Sequence, residues 1–179
     1  MQFYVLGFIS IDCGAEAGFN YTEPYINYVS DENFINTGVR ETIATYTQQQ
    51  YMWRLRSFPE GKRNCYKISI TRGSKYLIRT TFLYGNYDGR NMLPMFDLLL
   101  GTNLWDTVTI KNAFMDQSNE IIHVPSLDFV QICLVNTGNG TPFITAIELR
   151  TLKNDTYVTE SISLELYNRF DLGSNRGYR

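Results

Sequence analysis

The sequence predicts an all-β fold, an antiparallel β-sandwich or jelly roll with only a few short helical turns. Three observations carry that expectation. About eight to ten short runs alternate apolar and polar residues with a period of two, and Gly, Pro or Asn punctuates the gaps between them. Aromatic residues make up 15% of the chain, with 13 Tyr and 11 Phe, and these fit a pleated, half-buried surface. No amphipathic helix exceeds two turns, so nothing supplies the crossovers that a parallel sheet requires.

Taken in order, Phe8–Cys13 alternates as a first strand. Residues 15–40 read as an irregular stretch carrying Tyr21, Tyr25 and Tyr28, which serve either as a stacking wall for a ligand or as cover for a sandwich edge. Within it Ser30 caps a single helical turn that Thr37-Gly38 stops. Tyr51–Arg56 alternates weakly and ends before Pro59-Glu60-Gly61. Cys65–Thr71 and Lys75–Tyr84, joined by Arg72-Gly73-Ser74, read as a β-hairpin. That hairpin opens into Gly85-Asn86-Tyr87-Asp88-Gly89-Arg90-Asn91, a polar loop with one aromatic ring, and rigidly held loops are where binding residues concentrate. Met95–Leu100, Trp105–Ile110 and Glu120–Val124 follow as strands. Asp128–Asn136 is apolar on both faces and is therefore expected at the centre of a sheet. A turn over Thr137–Pro142 leads into Phe143–Leu152. Beyond Leu152 the character changes: a linker, one more strand at Ser161–Tyr167, then a polar loop to Arg179. Residues 1–152 thus read as one lobe, and the chain as a cut through a larger protein.

Composition excludes several classes of function. Net charge is −2 and no block of Lys or Arg exceeds two, so the basic stripe that nucleic acid demands is missing. No run approaches the ~20 apolar residues of a membrane span. The apolar Met1–Phe8 has no basic flank and no small-residue cleavage site, which leaves a cytosolic protein or a fragment without its leader. Cys13, Cys65 and Cys133 contain no metal-binding spacing, and His123 is the single histidine, read as a surface or edge-strand residue. The cysteines are either three buried thiols or one disulfide plus one thiol, the pair then being Cys65–Cys133, set in strand-like runs that face each other across a core. Sequons occur at Asn20, Asn139 and Asn154, with Pro142 hindering the second, so Asn20 and Asn154 are the glycosylation candidates. No catalytic motif appears; Asp12, Asp88, Asp97 and Glu148 form a glycosidase-like pair only if folding brings two of them together. Asn86, Asp88 and Asn91 lack the bidentate Glu of a calcium loop, so neither a metal nor a cofactor is expected.

A set of ordered motifs then narrows the reading. Ile11-Asp12-Cys13-Gly14, Tyr28-Val29-Ser30-Asp31, Leu55-Arg56-Ser57-Phe58-Pro59, Arg63-Asn64-Cys65-Tyr66, Phe82-Leu83-Tyr84-Gly85-Asn86-Tyr87-Asp88-Gly89, Phe96-Asp97-Leu98, Cys133-Leu134-Val135-Asn136-Thr137-Gly138, Gly140-Thr141-Pro142-Phe143-Ile144 and Asn168-Arg169-Phe170-Asp171 together resemble the malectin-like domain of plant leucine-rich-repeat receptor-like kinases. The resemblance implies a first malectin-like lobe over residues 1–152 and, over 153–179, a linker and the truncated start of a second. It implies a non-catalytic recognition domain on the extracellular side of the plasma membrane, for a cell-wall glycan or secreted peptide, with a co-receptor as a further partner. A stand-alone carbohydrate-binding module is the alternative. Tyr84, Tyr87 and Asp88 are the ligand-binding candidates, rings stacking on a sugar face and the carboxylate accepting hydroxyls; the competing reading has Tyr84 packed in the sheet. Animal malectin carries a binding Asp in a late loop where this chain has Gly138–Pro142.

Overall fold

A strand with apolar side chains at alternate positions buries one face, and one apolar on both faces must lie between layers. Both kinds occur in the computed structural model, which describes residues 8–23, 25–44, 49–158 and 160–167. In chain order the strands are β1 (Phe8–Asp12), β2 (Asn20–Glu23), β3 (Ile26–Ser30), β4 (Val39–Thr42), β5 (Arg54–Ser57), β6 (Arg63–Ser69), β7 (Lys75–Phe82), β8 (Met95–Leu100), β9 (Asn103–Thr109), β10 (Gln117–His123), β11 (Phe129–Asn139), β12 (Phe143–Ile144), β13 (Ala146–Leu152) and β14 (Ser163–Leu166). One sheet runs β14-β10-β7-β13-β1-β3-β2, a second β6-β11-β8-β9, and a small third β12-β5-β4. Among the described residues only β1 and β3 pair in parallel. The all-β antiparallel expectation is met, and β11 lies inside its sheet as its two apolar faces demand.

Ile11, Ile78, Ile147 and Leu149 of the large sheet face Tyr66, Ile68, Phe96, Leu98, Ile132 and Leu134 of the second, all fully buried. Phe82, Phe96 and Phe143 come from three different sheets, and their ring centroids lie 5.7 to 6.2 Å apart in edge-on arrangements. Thr145 carries the chain from the third sheet to the first. It is fully buried, its hydroxyl accepts from the Leu83 N–H at 2.9 Å, and its carbonyl accepts from the Cys13 N–H at 2.9 Å.

The expected hairpin is not one. β6 pairs with β11, whereas β7 pairs with β10 and β13, so Arg72-Gly73-Ser74 forms an arch from one sheet to the other. Burial explains the choice. β6 buries only Asn64, Tyr66 and Ile68, but β7 buries Leu77 and Thr81 as well as Tyr76, Ile78, Thr80 and Phe82. A strand covered on both faces belongs in the middle of the larger sheet, away from its neighbour in sequence.

Other elements also shift. Residues 20–30, expected as irregular, form the β2–β3 hairpin, with Tyr21 stacked on Tyr28 and Tyr28 on Tyr51 at 5.4 and 4.9 Å. Tyr25 stands at the turn, exposed. Gln50–Met52 is a 3-10 turn and the strand begins only at Arg54. The turn after Ser30 forms as expected, the Ser30 hydroxyl accepting from the Glu32 N–H. His123 sits on β10, which β14 covers, so it is not on an edge strand; its Nδ1 lies 2.7 Å from the Ser163 hydroxyl. Burial lowers the pKa of that ring. The chain after Leu152 is anchored on the lobe, because β14 pairs with β10 and the Lys75 ammonium donates to the carbonyls of Asn154, Thr156 and Tyr157. The motif at Asn168–Asp171 lies outside the described residues.

Two devices, one polar and one covalent, fix strands in place. The buried Asp31 carboxylate accepts from Arg56 Nε and Nη2 at 2.5 and 2.7 Å, from the Tyr66 hydroxyl at 3.0 Å and from the Gly14 N–H at 3.1 Å. Gly14 has a φ of +90°, and a Cβ there would run into the Leu55 carbonyl. Nearby, Asp12 is fully buried with Arg54 Nη1 at 2.9 Å. The second device is covalent. Cys65 and Cys133 are register partners on β6 and β11 and form a disulfide, as neighbours within one sheet and not across the core. Cys13 is a buried thiol.

The disulfide closes a separation of 68 residues. Replacing Cys65 and Cys133 by Ser is expected to lower the unfolding free energy in urea by about 4 kcal/mol through the freed denatured chain. Desolvation raises the Asp12 carboxyl from 3.8 to about 8, with Arg54 opposing. A raised folded-state pKa makes the Asp12 contribution full below the unfolded value and progressively lost as pH rises toward 8. The urea midpoint of the wild type should therefore fall between pH 4 and pH 8 relative to that of Asp12→Asn.

Candidate functional site

The loop after β7 begins where the chain leaves the sheet. Gly85 has a φ of +56° and a Cβ there would collide with the Ile43 side chain, so only glycine fits. Its N–H donates to the Ala113 carbonyl at 2.6 Å, tying this loop to the one between β9 and β10. Asn86 and Asn91 take left-handed backbones, with φ of 52° and 53°. Their side chains close the loop on itself: Asn86 Oδ1 accepts from the Asn91 N–H at 2.9 Å, and Asn86 Nδ2 donates to Asn91 Oδ1 at 3.0 Å.

Tyr84, Tyr87 and Asp88 are brought together within this frame. The Tyr84 hydroxyl donates to Asp88 Oδ1 at 2.5 Å and lies 3.2 Å from Asn86 Oδ1. Asp88 Oδ1 also accepts from the Arg90 N–H at 3.2 Å. The Tyr84 ring meets Tyr87 edge-on at 5.6 Å, and both rings pack on Phe143, at 5.9 and 6.0 Å. Tyr84 is 1% exposed and presents no free ring face, whereas Tyr87 and Asp88 are half-buried. Burial first, then the neighbouring Asp88, pushes the Tyr84 phenol up to about 12. Burial likewise raises Tyr87 above the ordinary tyrosine range, and Asp88 adds to it. The three side chains are an inner layer that fixes the loop.

The outer layer was not legible from alternation. Met92 and Leu93 in this loop and Phe114 and Met115 in the neighbouring one are exposed. Both loops are joined by the Gly85–Ala113 bond and by a second from the Ile110 N–H to the Pro94 carbonyl. Four large apolar residues in turn segments, beside Arg90 and Lys111, were the available signal in the sequence.

The remaining acids each have partners of their own. Glu148 accepts from the Tyr28 hydroxyl at 2.5 Å and pairs with Arg150 at 3.0 Å and Arg79 at 3.4 Å. Asp97 accepts from the Thr107 hydroxyl at 2.8 Å. Among the described residues no cluster of three His, Cys, Asp or Glu suited to a metal occurs.

Residues 11–179 match the family described as malectin-like domain. The chain belongs to that family. The resemblance read from the motifs is thereby borne out. This malectin-like chain is 51% identical over 180 residues to the LRR receptor-like serine/threonine-protein kinase IOS1 of Arabidopsis thaliana, taking in 97% of the chain and 20% of the relative. It thus spans about a fifth of the length of the curated relatives it matches. Among solved structures, the ANX2 ectodomain from Arabidopsis thaliana aligns with a TM-score of 0.71 and 17% identity over 82% of the chain and 42% of that ectodomain. The plant receptor-like kinase FER aligns with a TM-score of 0.72 and 16% identity, covering 85% and 43%. At these identities the likeness is one of fold.

Asp88→Ala is expected to lower stability by about 1–2 kcal/mol through the lost charge-assisted bond to Tyr84. It should also bring the Tyr84 phenol below its raised value, read as an earlier tyrosinate absorbance in an alkaline titration.

Proposed function

We propose that this malectin-like lobe is a non-catalytic recognition domain on the extracellular side of the plasma membrane, part of a plant receptor-like kinase. The observation that carries the reading is the 51% identity to such a kinase across nearly the whole chain. The Cys65–Cys133 disulfide fits an oxidising compartment. Asn20 and Asn154 are exposed and are proposed as glycosylated. Residues 1–152 are proposed as the lobe, and 153–179 as a linker and the truncated start of a second lobe of the same kind.

The ligand is a cell-wall saccharide or a secreted peptide, with a co-receptor ectodomain as a further partner. It is held at the loop Gly85–Asn91, with the accessible parts of Tyr87 and Asp88 in contact and Tyr84 fixing them from below. Exposed Met92 and Phe114 extend the same surface, as apolar residues do at interaction sites. No second reading is favoured by a specific observation over this one.

Arrays of cell-wall oligosaccharides and of secreted plant peptides, probed with the chain, test the proposal. One ligand should bind, and Tyr87→Ala or Phe114→Ser should weaken it roughly tenfold, a loss of about 1.4 kcal/mol. Binding unchanged by both substitutions would reject the loop as the site, and turnover of any saccharide would reject a non-catalytic role.

A further inference from the structure

β9 is an outer strand of the second sheet, paired among the described residues only with β8. In an antiparallel pair, residues that exchange hydrogen bonds alternate with residues whose N–H and C=O point away from the partner. The Ile110 N–H bonds to the Pro94 carbonyl, which continues the register Met95↔Thr109 and Phe96↔Val108. Val108 and Ile110 therefore turn their backbone toward β8, and Thr107 and Thr109 turn theirs outward. The hydrogen bonds agree. The Thr107 N–H is taken at 2.8 Å by Asp106 Oδ1, a side chain capping an otherwise open edge. The Thr109 N–H and the Thr107 and Thr109 carbonyls have no partner among the described residues.

This open edge forms one wall of a groove of about 520 Å³, and the other wall is the chain returning through Met115–Gln117 into β10. That volume is within the range of roughly 300–1,000 Å³ usual for ligand clefts. Asn119 of β10 donates to Asp106 and holds the two walls at one end. Ile110 and Met115 supply apolar surface. No hydrogen bond or ion pair among the described residues engages the side chains of Lys111, Asp116 or Gln117. Asp106 and Asp116 line the groove and Asp97 stands beside it, bonded to Thr107, against the single cation Lys111. The groove therefore combines unpaired strand backbone, an apolar patch and an acidic rim.

We propose that β9 accepts an extended, basic peptide segment as an added strand, its backbone pairing with the Thr107 carbonyl and with Thr109 and its Lys or Arg side chains meeting Asp106 and Asp116. Main-chain pairing supplies the affinity in this mode and the rim selects the side chains. Open edges are ordinarily blunted by bulges and charge, and β9 is so protected at its start, where the register shifts between Leu98 and Leu99, and at the Thr107 N–H, which Asp106 caps, but not at the Thr107 carbonyl or at Thr109. The groove shares Met115 with the outer apolar layer but includes none of Tyr84, Tyr87 and Asp88, so it is a second site and not a restatement of the loop.

The test uses the whole chain and two fluorescent peptides matched to the seven residues of β9, one alternating Thr and Arg, the other Thr and Glu. Anisotropy should show the Arg peptide bound and the Glu peptide bound roughly tenfold more weakly or less. Thr109→Pro deletes the outward N–H at an edge position where proline is tolerated, and should weaken the Arg peptide roughly tenfold. Asp116→Lys, an exposed change that leaves the fold intact, should do the same. Amide exchange at Thr109 should slow when the Arg peptide is present. Equal affinity for the two peptides, or insensitivity to both substitutions, would overturn the proposal. So would displacement of the Arg peptide by a neutral cello-oligosaccharide, or a self-associated dimer in sedimentation that Asp116→Lys dissolves.

Discussion

One carboxylate joins all three sheets. Asp31 follows β3 of the large sheet and takes hydrogen bonds from Arg56 of the small sheet, from Tyr66 of the second sheet and from the backbone at Gly14 after β1. Burying a charge is tolerated only with full compensation, and here four donors surround two oxygens. Arg56 is compensated in turn by the carbonyls of Thr37 and Gly38 at 3.2 and 3.4 Å. An apolar replacement of similar volume would serve burial equally well, but it would not dictate which three elements converge. The phenylalanine trio Phe82, Phe96 and Phe143 performs the non-directional counterpart of this task nearer the recognition loop. Directional bonds at one place and ring packing at the other fix the sheets against each other.

How far the fold could be read in advance follows from what alternation encodes. A period of two reports which face a side chain takes, and so Met95–Leu100 and the interior position of β11 were legible. It does not report the strand's partner. Cys65–Thr71 and Lys75–Tyr84 look like a hairpin because a three-residue turn joins them, yet β7 is covered on both faces and migrates to the large sheet. The same limit applies to the cysteines: the pair was right, but its setting within one sheet depended on β6 and β11 being neighbours. Residues 20–30 hid a hairpin because Tyr21 and Tyr28 hold it by ring stacking, which leaves no alternating signature. At the loop, sequence placed Tyr84, Tyr87 and Asp88 together, but only the fold brings Phe143 against both tyrosine rings. Contacts between residues 60 positions apart are invisible to local pattern.

The proposed recognition surface is built in two depths. An inner set of aromatic rings and short hydrogen bonds holds the loop backbone in left-handed turns at Asn86 and Asn91, so little conformational freedom is left to lose on binding. An outer set of Met, Leu and Phe side chains is exposed on that frame. Unbranched methionines adapt their shape, so the arrangement sets adaptable tips on a stiff base. The sheet edge at β9 has a different chemistry, main-chain groups and carboxylates, and the β9–β10 connection lines it.

Lys75 has a role out of proportion to one surface amine. Its three carbonyl partners all lie in the short stretch that leads from β13 toward β14, so a single positive charge moors the departing chain to the body. The course of the chain into β14 is set by that mooring together with the pairing on β10. Neutralise the amine, as acetylation does, and a strut becomes a tether while the core beneath it is undisturbed.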